Sequence, residues 1–341
     1  MRTLVETFVE ENYELRRNVV SDKYEFREKM AVADGETPVE VPWRELHDPR
    51  SINTMALKCR RELDEEKSWA AAVREVVYSE NTPEYDPIKA YFDALPEWDG
   101  QEHVEEHFKR VPGMTDQLLK WGHQWMRSMV AHWLGKDSRH GNEQVLLFIS
   151  DQGNMKTTFF ANLLPPALSS YFIDRVNFGN KNDKNMALTN TLLANFDELD
   201  QVKDCQQAEF KHMITMHKVY ARPIYGRAQE NRPRRASFTA TTNKKRPLKD
   251  ATGSRRFICV QIPDGAIIDV MTPIDHDQIY AQLYHELEVE KVRYWMTYEE
   301  QKELSQYNAK FLEANDLESM IKVCFRRPDA KEKVAMMCVR S

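Results

Sequence analysis

The chain has 341 residues, of which 41% are hydrophobic and 30% are charged, a composition that excludes an intrinsically disordered protein. Its formal net charge of -6 excludes a protein that is basic throughout, so any nucleic-acid site must be a local basic patch. Because no apolar run approaches the roughly 20 residues that span a bilayer, no secretion signal is evident and the 5 cysteines are scattered singly, we expect a cytoplasmic protein with reduced thiols and no membrane partner.

Residues 1–95 predict a mixed, mostly helical N-terminal region, in which a first helix is followed by a short strand pair. Residues 96–140 predict a helical segment that precedes the core. Apolar residues recur in it at helical spacing: Leu118, Trp121, Trp125, Met129 and Trp133. This pattern indicates the buried face of one helix and not a set of tryptophans that stack on nucleic acid. The first hundred residues offer no carboxylate set for a primase, which favours docking of subunits, a primase partner or DNA.

The core, residues 141–265, begins with an apolar strand, Val145–Ile149, that runs into the loop "SDQGNMKTT". This is the layout of a phosphate-binding loop, G-x-x-x-x-G-K-[ST], except that Ser150 and Met155 stand where the pattern has glycine. A phosphate cradle needs backbone N–H groups, a helix N-terminus and a cation, and this loop supplies all of them. We predict nucleotide contacts from Gly153, Asn154, Met155, Lys156, Thr157 and Thr158.

The segment "TLLANFDELD" predicts a second apolar strand, Leu192–Phe196, that ends in two adjacent acids. In a Walker B arrangement Asp197 holds Mg²⁺ together with the Thr157 hydroxyl, and Glu198 polarises the attacking water. The alternative is a pair of acids that cap the helix predicted over residues 206–216. Residues 218–238 then predict a hairpin with a charged tip that contains glycine.

A third strand, Ala236–Thr242, delivers Asn243, which matches a sensor of the γ-phosphate, although asparagine after a strand is also a common turn residue. The paired Arg255 and Arg256 precede a further strand and suit the charge of a phosphoryl-transfer transition state; the alternative is a solvated basic pair. Strands that alternate with helical segments predict an α/β fold with a central parallel sheet flanked by helices. Residues 266–341 predict a helical C-terminal region.

The core resembles the virulence-associated protein E family of bacteria and their phages, which is itself similar to the helicase half of superfamily 3 primase-helicases. The segments that carry the resemblance are "YFDALPEWDG", "GNMKTTF", "NKNDKNMAL", "NFDELD", "KVYARPIYGR", "RPRRASFTATTN" and "DATGSRRF". The resemblance implies a AAA+-type ATPase core that uses ATP and Mg²⁺ and assembles as a ring, often a hexamer. It also implies that each ATP lies between subunits, so that Arg256, or failing that Arg255, acts on the neighbour's nucleotide.

The same resemblance implies work on single-stranded DNA in the replication of phage or mobile elements, with a DNA-gripping hairpin between the acid pair and the sensor strand. The contacts expected there are Lys218, Arg222, Tyr225 and Arg227. The interval holds further candidates: Lys211, Tyr220, Arg232, Arg234 and Arg235. Cations neutralise phosphates and tyrosine stacks on bases, whereas the alternative is a solvated hairpin that contacts a neighbouring subunit.

Met155 is the main departure from the family pattern, because the glycine expected there commonly has a positive φ. The leading hypothesis is an ATP-dependent single-stranded DNA translocase or helicase that acts as a ring. A second hypothesis is a P-loop scaffold or regulator that binds DNA or a protein, with nucleotide structural or absent. A P-loop small-molecule kinase is disfavoured, since the sequence shows a sensor asparagine and a distal arginine pair but no lid-like segment.

Overall fold

The structure, a computed structural model, describes residues 3–29, 41–63, 69–136, 141–175, 181–199, 204–222, 228–249 and 253–313. The N-terminal part contains α1 (Leu4–Asn12), β1 (Tyr13–Asn18), β2 (Lys23–Glu28), β3 (Arg44–Glu45), α2 (Arg50–Leu63), α3 (Trp69–Val77), β4 (Glu84–Tyr85) and α4 (Pro87–Asp93). The rest contains α5 (His103–Phe108), α6 (Asp116–Trp133), β5 (Val145–Ile149), α7 (Lys156–Ala161), β6 (Phe172–Ile173), α8 (Lys181–Asn190), β7 (Leu193–Phe196), α9 (Asp204–Thr215), β8 (Lys218–Ala221), β9 (Glu230–Pro233), β10 (Ser237–Thr242), β11 (Phe257–Gln261), α10 (His276–Glu288) and α11 (Tyr298–Asn308).

The N-terminal part has a hydrophobic core of its own. The predicted strand pair is β1–β2, and it is extended to a four-stranded sheet in the order β3-β2-β1-β4. Helix α1 starts with a capping box in which Thr3 and Glu6 satisfy each other's backbone N–H groups. Apolar side chains from α1, α2 and α3, including Val9, Ile52 and Val73, pack into one cluster with residues of the sheet.

The central sheet has five parallel strands in the order β11-β5-β10-β7-β6. All side chains of β5 are buried, as expected for a parallel strand covered on both faces. Helices α6 and α10 cover one face of the sheet, and α9 covers the other. The predicted α/β fold with a central parallel sheet flanked by helices is confirmed.

Helix α6 presents its apolar stripe to this core, as its spacing predicts. Leu118, Trp125 and Met129 are buried, and the indole N–H groups still find acceptors. Trp125 Nε1 donates to the Gln144 carbonyl oxygen at 3.1 Å, and Trp133 Nε1 donates to the Leu192 carbonyl oxygen at 3.2 Å. The tryptophans are therefore part of the core and not a stacking surface.

Helix α7, which follows the phosphate-binding loop, is short and ends at Ala161, four residues before Pro165. The predicted hairpin is present as the antiparallel pair β8–β9, while its tip, residues 223–227, lies outside the described residues. Among the described helices, none is long and apolar enough to cross a membrane.

Candidate functional site

The phosphate-binding loop, the acid pair and the sensor asparagine follow three neighbouring strands of the sheet. Strand β10 lies between β5 and β7, so that the carboxyl ends of all three strands meet at one edge. An open cleft of about 320 Å³ lies there. The predicted residues that line it are Gly153, Asn154, Met155, Lys156, Thr157, Thr158, Asp197, Glu198 and Asn243. The carboxyl edge of a parallel sheet is the usual place for a ligand in α/β folds.

The loop follows a left-handed path at the two positions where it must turn. Gly153 has a φ of 85°, and Met155, directly before the first residue of α7, has a φ of 64° and a ψ of 22°. Methionine thus adopts the conformation for which the family pattern uses glycine, and the Cβ makes this conformation unfavourable by about 1–2 kcal/mol. The Met155 side chain remains 46% exposed beside the open cleft.

Lys156 is folded over the loop that precedes it. Its Nζ lies 2.8 Å from the carbonyl oxygens of both Ser150 and Asp151, 3.0 Å from Ser150 Oγ and 3.2 Å from Asn243 Oδ1. Burial lowers the pKa of Lys156, while the negative charges of Asp197 and Asp151 partly oppose that shift. Ser150, at the first missing glycine position, therefore supplies both a carbonyl and a hydroxyl acceptor for this cation.

Thr157 and Asp197 are brought together as predicted for a metal site. Thr157 Oγ1 lies 3.4 Å from Asp197 Oδ1. A hydroxyl and a carboxylate at the edge of an open cleft are hard oxygen ligands of the kind that Mg²⁺ prefers, with room for water and phosphate oxygens. The donor set therefore fits Mg²⁺.

Thr241 is a site residue that the sequence analysis missed. Its hydroxyl donates to Asp197 Oδ1 at 2.5 Å and accepts the Glu198 backbone N–H at 3.3 Å. A hydroxyl can perform both roles at once. Glu198 itself has a φ of 55°, and the contact with Thr241 holds its backbone in that left-handed turn. The available signal was the position of Thr241 two residues before Asn243 on a strand adjacent to the acids.

Arg255 and Arg256 do not join the cleft of their own chain. They lie in a short 3-10 helix, Ser254–Arg256, that leads into β11. The first residue of β11, Phe257, is paired with Val145, the first residue of β5, whereas the phosphate-binding loop follows the last residue of β5. At about 3.3 Å per residue the arginines therefore lie on the order of 16 Å from the loop, at the opposite edge of the sheet.

The hairpin strand β8 exposes Lys218 and Tyr220, while Val219 and Ala221 are buried, and Arg222, directly after the strand, is exposed as well. Tyr220 is 64% exposed. Helix α8 holds the backbone of this strand. Asn185 Nδ2 donates to the Tyr220 carbonyl oxygen at 2.8 Å, and the Arg222 N–H donates to Asn182 Oδ1 at 2.9 Å. Lys218 and Arg222 are thus placed on a surface, and the predicted contacts Tyr225 and Arg227 lie outside the described residues.

Three further cations proposed for DNA contact do not form a surface. Arg232 and Arg234 are buried, and Arg235 is partly buried against the end of α8, where its N–H donates to the Leu188 carbonyl oxygen at 3.0 Å. Burial lowers the pKa of Arg234 to about 9. Arg232 lies in β9, and Arg234 and Arg235 follow it in the short segment before β10, where the Arg234 N–H donates to the His217 carbonyl oxygen and Arg234 Nη2 donates to the Asn142 carbonyl oxygen. That part of the basic interval is structural.

A separate cluster of metal-ligand type joins helices α5, α6 and α10. His123 Nε2 lies 2.8 Å from Glu286 Oε1, and Arg127 Nε donates to Glu286 Oε2 at 2.6 Å. Gln282 Nε2 donates to Glu102 at 2.8 Å. Because cationic and N–H donors already occupy the carboxylate oxygens, this cluster serves as an ion-pair and hydrogen-bond network between helices.

Comparisons with known proteins agree with the architecture. Residues 92–313 match the family described as "Virulence-associated protein E-like domain", which is more than half of the chain. The solved apo structure of the NrS-1 C terminal region is similar in fold, with 12% identity and a TM-score of 0.50 over 94% of this chain and 76% of that one. The A form of the same region has 12% identity and a TM-score of 0.45 over 90% and 67% of the respective chains. No curated protein matches the sequence. The chain belongs to the virulence-associated protein E-like family.

Proposed function

We propose that this protein is an ATP-dependent translocase or helicase of superfamily 3 type that acts on single-stranded DNA as a ring of identical subunits. The observation that carries this proposal is the convergence of Lys156, Thr157, Asp197, Glu198 and Asn243 on one open cleft at the carboxyl edge of the sheet. These residues come from three separate strand ends, and each has the chemistry that phosphoryl transfer requires. Family membership supports a role in the replication of phage or mobile elements.

In this proposal each residue of the cleft has a separate role in ATP binding or hydrolysis. Lys156 and the backbone N–H groups of the loop bind phosphate oxygens, which replace some of the oxygen acceptors that now surround Lys156 Nζ. Thr157 and Asp197 hold Mg²⁺, which neutralises phosphate charge when it is bound. Glu198 orients the attacking water and accepts its proton at the carboxylate, while the Asn243 amide hydrogen-bonds the γ-phosphate or that water.

The position of the arginine pair supports assembly into a ring, for which the family resemblance implies a hexamer. Arg256 and Arg255 lie at the sheet edge opposite the cleft, where they cannot serve the nucleotide of their own chain. A neighbouring subunit that presents this edge to the cleft would supply the guanidinium that stabilises transition-state charge. A ring repeats this contact around its circumference.

Single-stranded DNA is the expected nucleic-acid partner. Cation, aromatic and cation alternate in Lys218 and Tyr220 on the exposed face of β8 and in Arg222 directly after it, which suits phosphate neutralisation and base stacking on one DNA strand. A local patch of this kind is compatible with a chain whose formal net charge is -6. Arg227 and Tyr225 extend the same segment in sequence. A primase or another replication protein is the expected further partner.

The second candidate function is a scaffold or regulator that binds DNA or a protein without turnover. The left-handed Met155 favours it, because an unfavourable loop conformation weakens any site that depends on the loop.

ATPase activity measured with and without single-stranded DNA, together with the mass of the protein in solution, tests the proposal. Mg²⁺-dependent turnover that DNA stimulates, by an assembly several protomers in size, would support a translocase. Titration with a fluorescent ATP analogue gives the decisive contrast. Micromolar, Mg²⁺-dependent binding supports the enzyme, and an absence of binding at millimolar ligand supports the scaffold.

A further inference from the structure

The turn between β1 and β2, residues 18–22, is built into the core of the ATPase and does not project from the N-terminal sheet. The Val20 side chain is fully buried in the cluster that contains α6 and α10. Asn190 Nδ2, at the end of α8, donates to the Ser21 carbonyl oxygen at 3.2 Å. Asn18 Nδ2 donates to the Tyr171 hydroxyl at 2.7 Å. The N-terminal part therefore packs on the core and is hydrogen-bonded to it through this turn.

The turn is also internally rigid. Asn18 Oδ1 accepts the backbone N–H groups of Val20 and Ser21, both at 3.1 Å. The Asp22 N–H donates to the Asn18 carbonyl oxygen at 2.9 Å, and Asp22 adopts a left-handed φ of 59°. An aspartate tolerates this conformation better than most residues. The turn thus holds the Asp22 carboxylate in one direction.

The Asp22 carboxylate contacts the hairpin at strand β9. Asp22 Oδ2 accepts from Arg232 Nη1 at 3.2 Å, and Asp22 Oδ1 accepts from Arg17 Nη2 at 2.8 Å. The Asp22 side chain is 5% exposed and that of Arg232 is 10% exposed, so the pair is shielded from water. Arg232 belongs to β9 and is paired with Val219 of β8. The second acid near Arg232, Glu230, is 3.9 Å away and largely exposed.

The hairpin is too small to be stable by itself and depends on contacts with neighbouring elements, including the core cluster into which Val219 packs. Strands β8 and β9 have four residues each and form a separate two-stranded sheet. A two-stranded hairpin is marginally stable alone in water. Asn182 and Asn185 of α8 hold its β8 side, and Asp22 holds its β9 side. Helix α8 leads directly into β7 and the acid pair, so the hairpin is held between the cleft and the N-terminal part.

We propose that Asp22 is a positioning residue that fixes the hairpin through Arg232 and thereby makes ATP turnover respond to single-stranded DNA. This inference rests on the proposed function. The N-terminal part is then the fixed support against which the hairpin is set. Loss of the Asp22 charge leaves Arg232 buried without its closest acid, and the guanidinium must move toward water. The exposed face of β8 then loses its orientation relative to the cleft.

The substitution Asp22→Asn tests the inference because it keeps the size of the side chain and removes its charge. We expect basal kcat and the KM for ATP to stay within about twofold, since Asp22 does not reach the cleft, and stimulation by DNA to fall about tenfold. A merely structural role would lower basal and stimulated turnover together. Glu84→Gln is the matched control, because Glu84 pairs with Arg17 at 3.1 Å, is 68% exposed and belongs to β4, which pairs with β1 and not with the hairpin.

A second pair of variants keeps the inference testable if Asp22→Asn fails to fold by circular dichroism and gel filtration. Arg232→Lys retains the cation and should keep more of the DNA stimulation than Arg232→Gln. Unchanged stimulation in Asp22→Asn, or equal behaviour of the two Arg232 variants, would overturn the inference while the proposed function stands. A wild-type protein that hydrolyses no ATP would overturn the proposed function and the inference with it.

Discussion

Replacement of Met155 by glycine and, separately, by alanine isolates the effect of its backbone conformation on the nucleotide loop. Met155 has a φ of 64°, in the left-handed region. Both substitutions remove the same partly exposed side chain, so its lost packing cancels when the two variants are compared. Alanine keeps a Cβ and retains the penalty of about 1–2 kcal/mol for this conformation. Glycine removes that penalty but gains flexibility in the unfolded chain, which costs about 0.5–1 kcal/mol.

The difference should make Met155→Gly more stable than Met155→Ala by about 0.5–1 kcal/mol. For a protein of this size that corresponds to a Tm difference of roughly 1–3 °C. Thermal unfolding followed by circular dichroism, at one protein concentration and without nucleotide, measures it. An alanine variant as stable as the glycine variant would refute the left-handed assignment and the reasoning built on it.

Titration of the same variants with a fluorescent ATP analogue separates strain from obstruction. If conformational strain weakens the loop, only Met155→Gly should bind more tightly than the wild type. If the methionine side chain obstructs the cleft, both variants should bind more tightly. Weaker binding by both would show that the side chain contributes a favourable contact to the ligand.

Further predictions concern hydrolysis, DNA binding and acid stability. Glu198→Gln should abolish ATP hydrolysis and leave the Kd for Mg·ATP unchanged, as single-turnover and titration experiments can show; unimpaired turnover would remove Glu198 from the mechanism. Lys218→Ala should reduce the slope of log K for single-stranded DNA against log salt by about 0.7. Tyr220→Ala should weaken DNA binding by about 1–3 kcal/mol at an unchanged slope. Equal slopes in both variants would argue against phosphate contact by Lys218. The hydrogen bonds from Arg293, at 2.6 and 2.7 Å, hold the pKa of Glu300 at about 2 in the folded protein. Because this pKa lies below the value of about 4.3 in the unfolded chain, the ionised Glu300 stabilises the folded state. This stabilisation is complete above pH 5 and is lost as pH falls toward 2. Glu300→Gln should therefore destabilise the protein by about 1–2 kcal/mol at pH 7 and by nearly nothing near pH 2, as denaturant unfolding at the two pH values would show.

The candidate site was predictable because its signals are local. The strand Val145–Ile149 was predicted with the bounds that the structure has, since an apolar run between polar turns identifies a buried strand without tertiary information. The residues that follow parallel strands must lie at one edge of the sheet. Lys156, Asp197 and Asn243 could therefore be placed together before their distances were known.

Residues whose role depends on direction or register could not be assigned in the same way. Arg232 and Arg234 have the composition of a DNA-binding segment, yet both are buried, because a list of charges contains no information on which way a side chain points. Thr241 lies on a strand whose apolar and hydroxyl residues all read as core. Its contact with Asp197 arises because β10 inserts between β5 and β7, an order set by packing of the whole sheet.

The sequence by itself determined the α/β class, the limits of the strand Val145–Ile149 and most of the chemical groups in the cleft, because hydrophobic periodicity and strand-end motifs act over a few residues. Tertiary structure alone decided that Arg255 and Arg256 lie at the far edge of the sheet and that Asp22 reaches Arg232, 210 residues further along the chain. Such contacts depend on strand order and domain packing, which arise from the sum of many distant burial energies and leave no local pattern in the residues that make them.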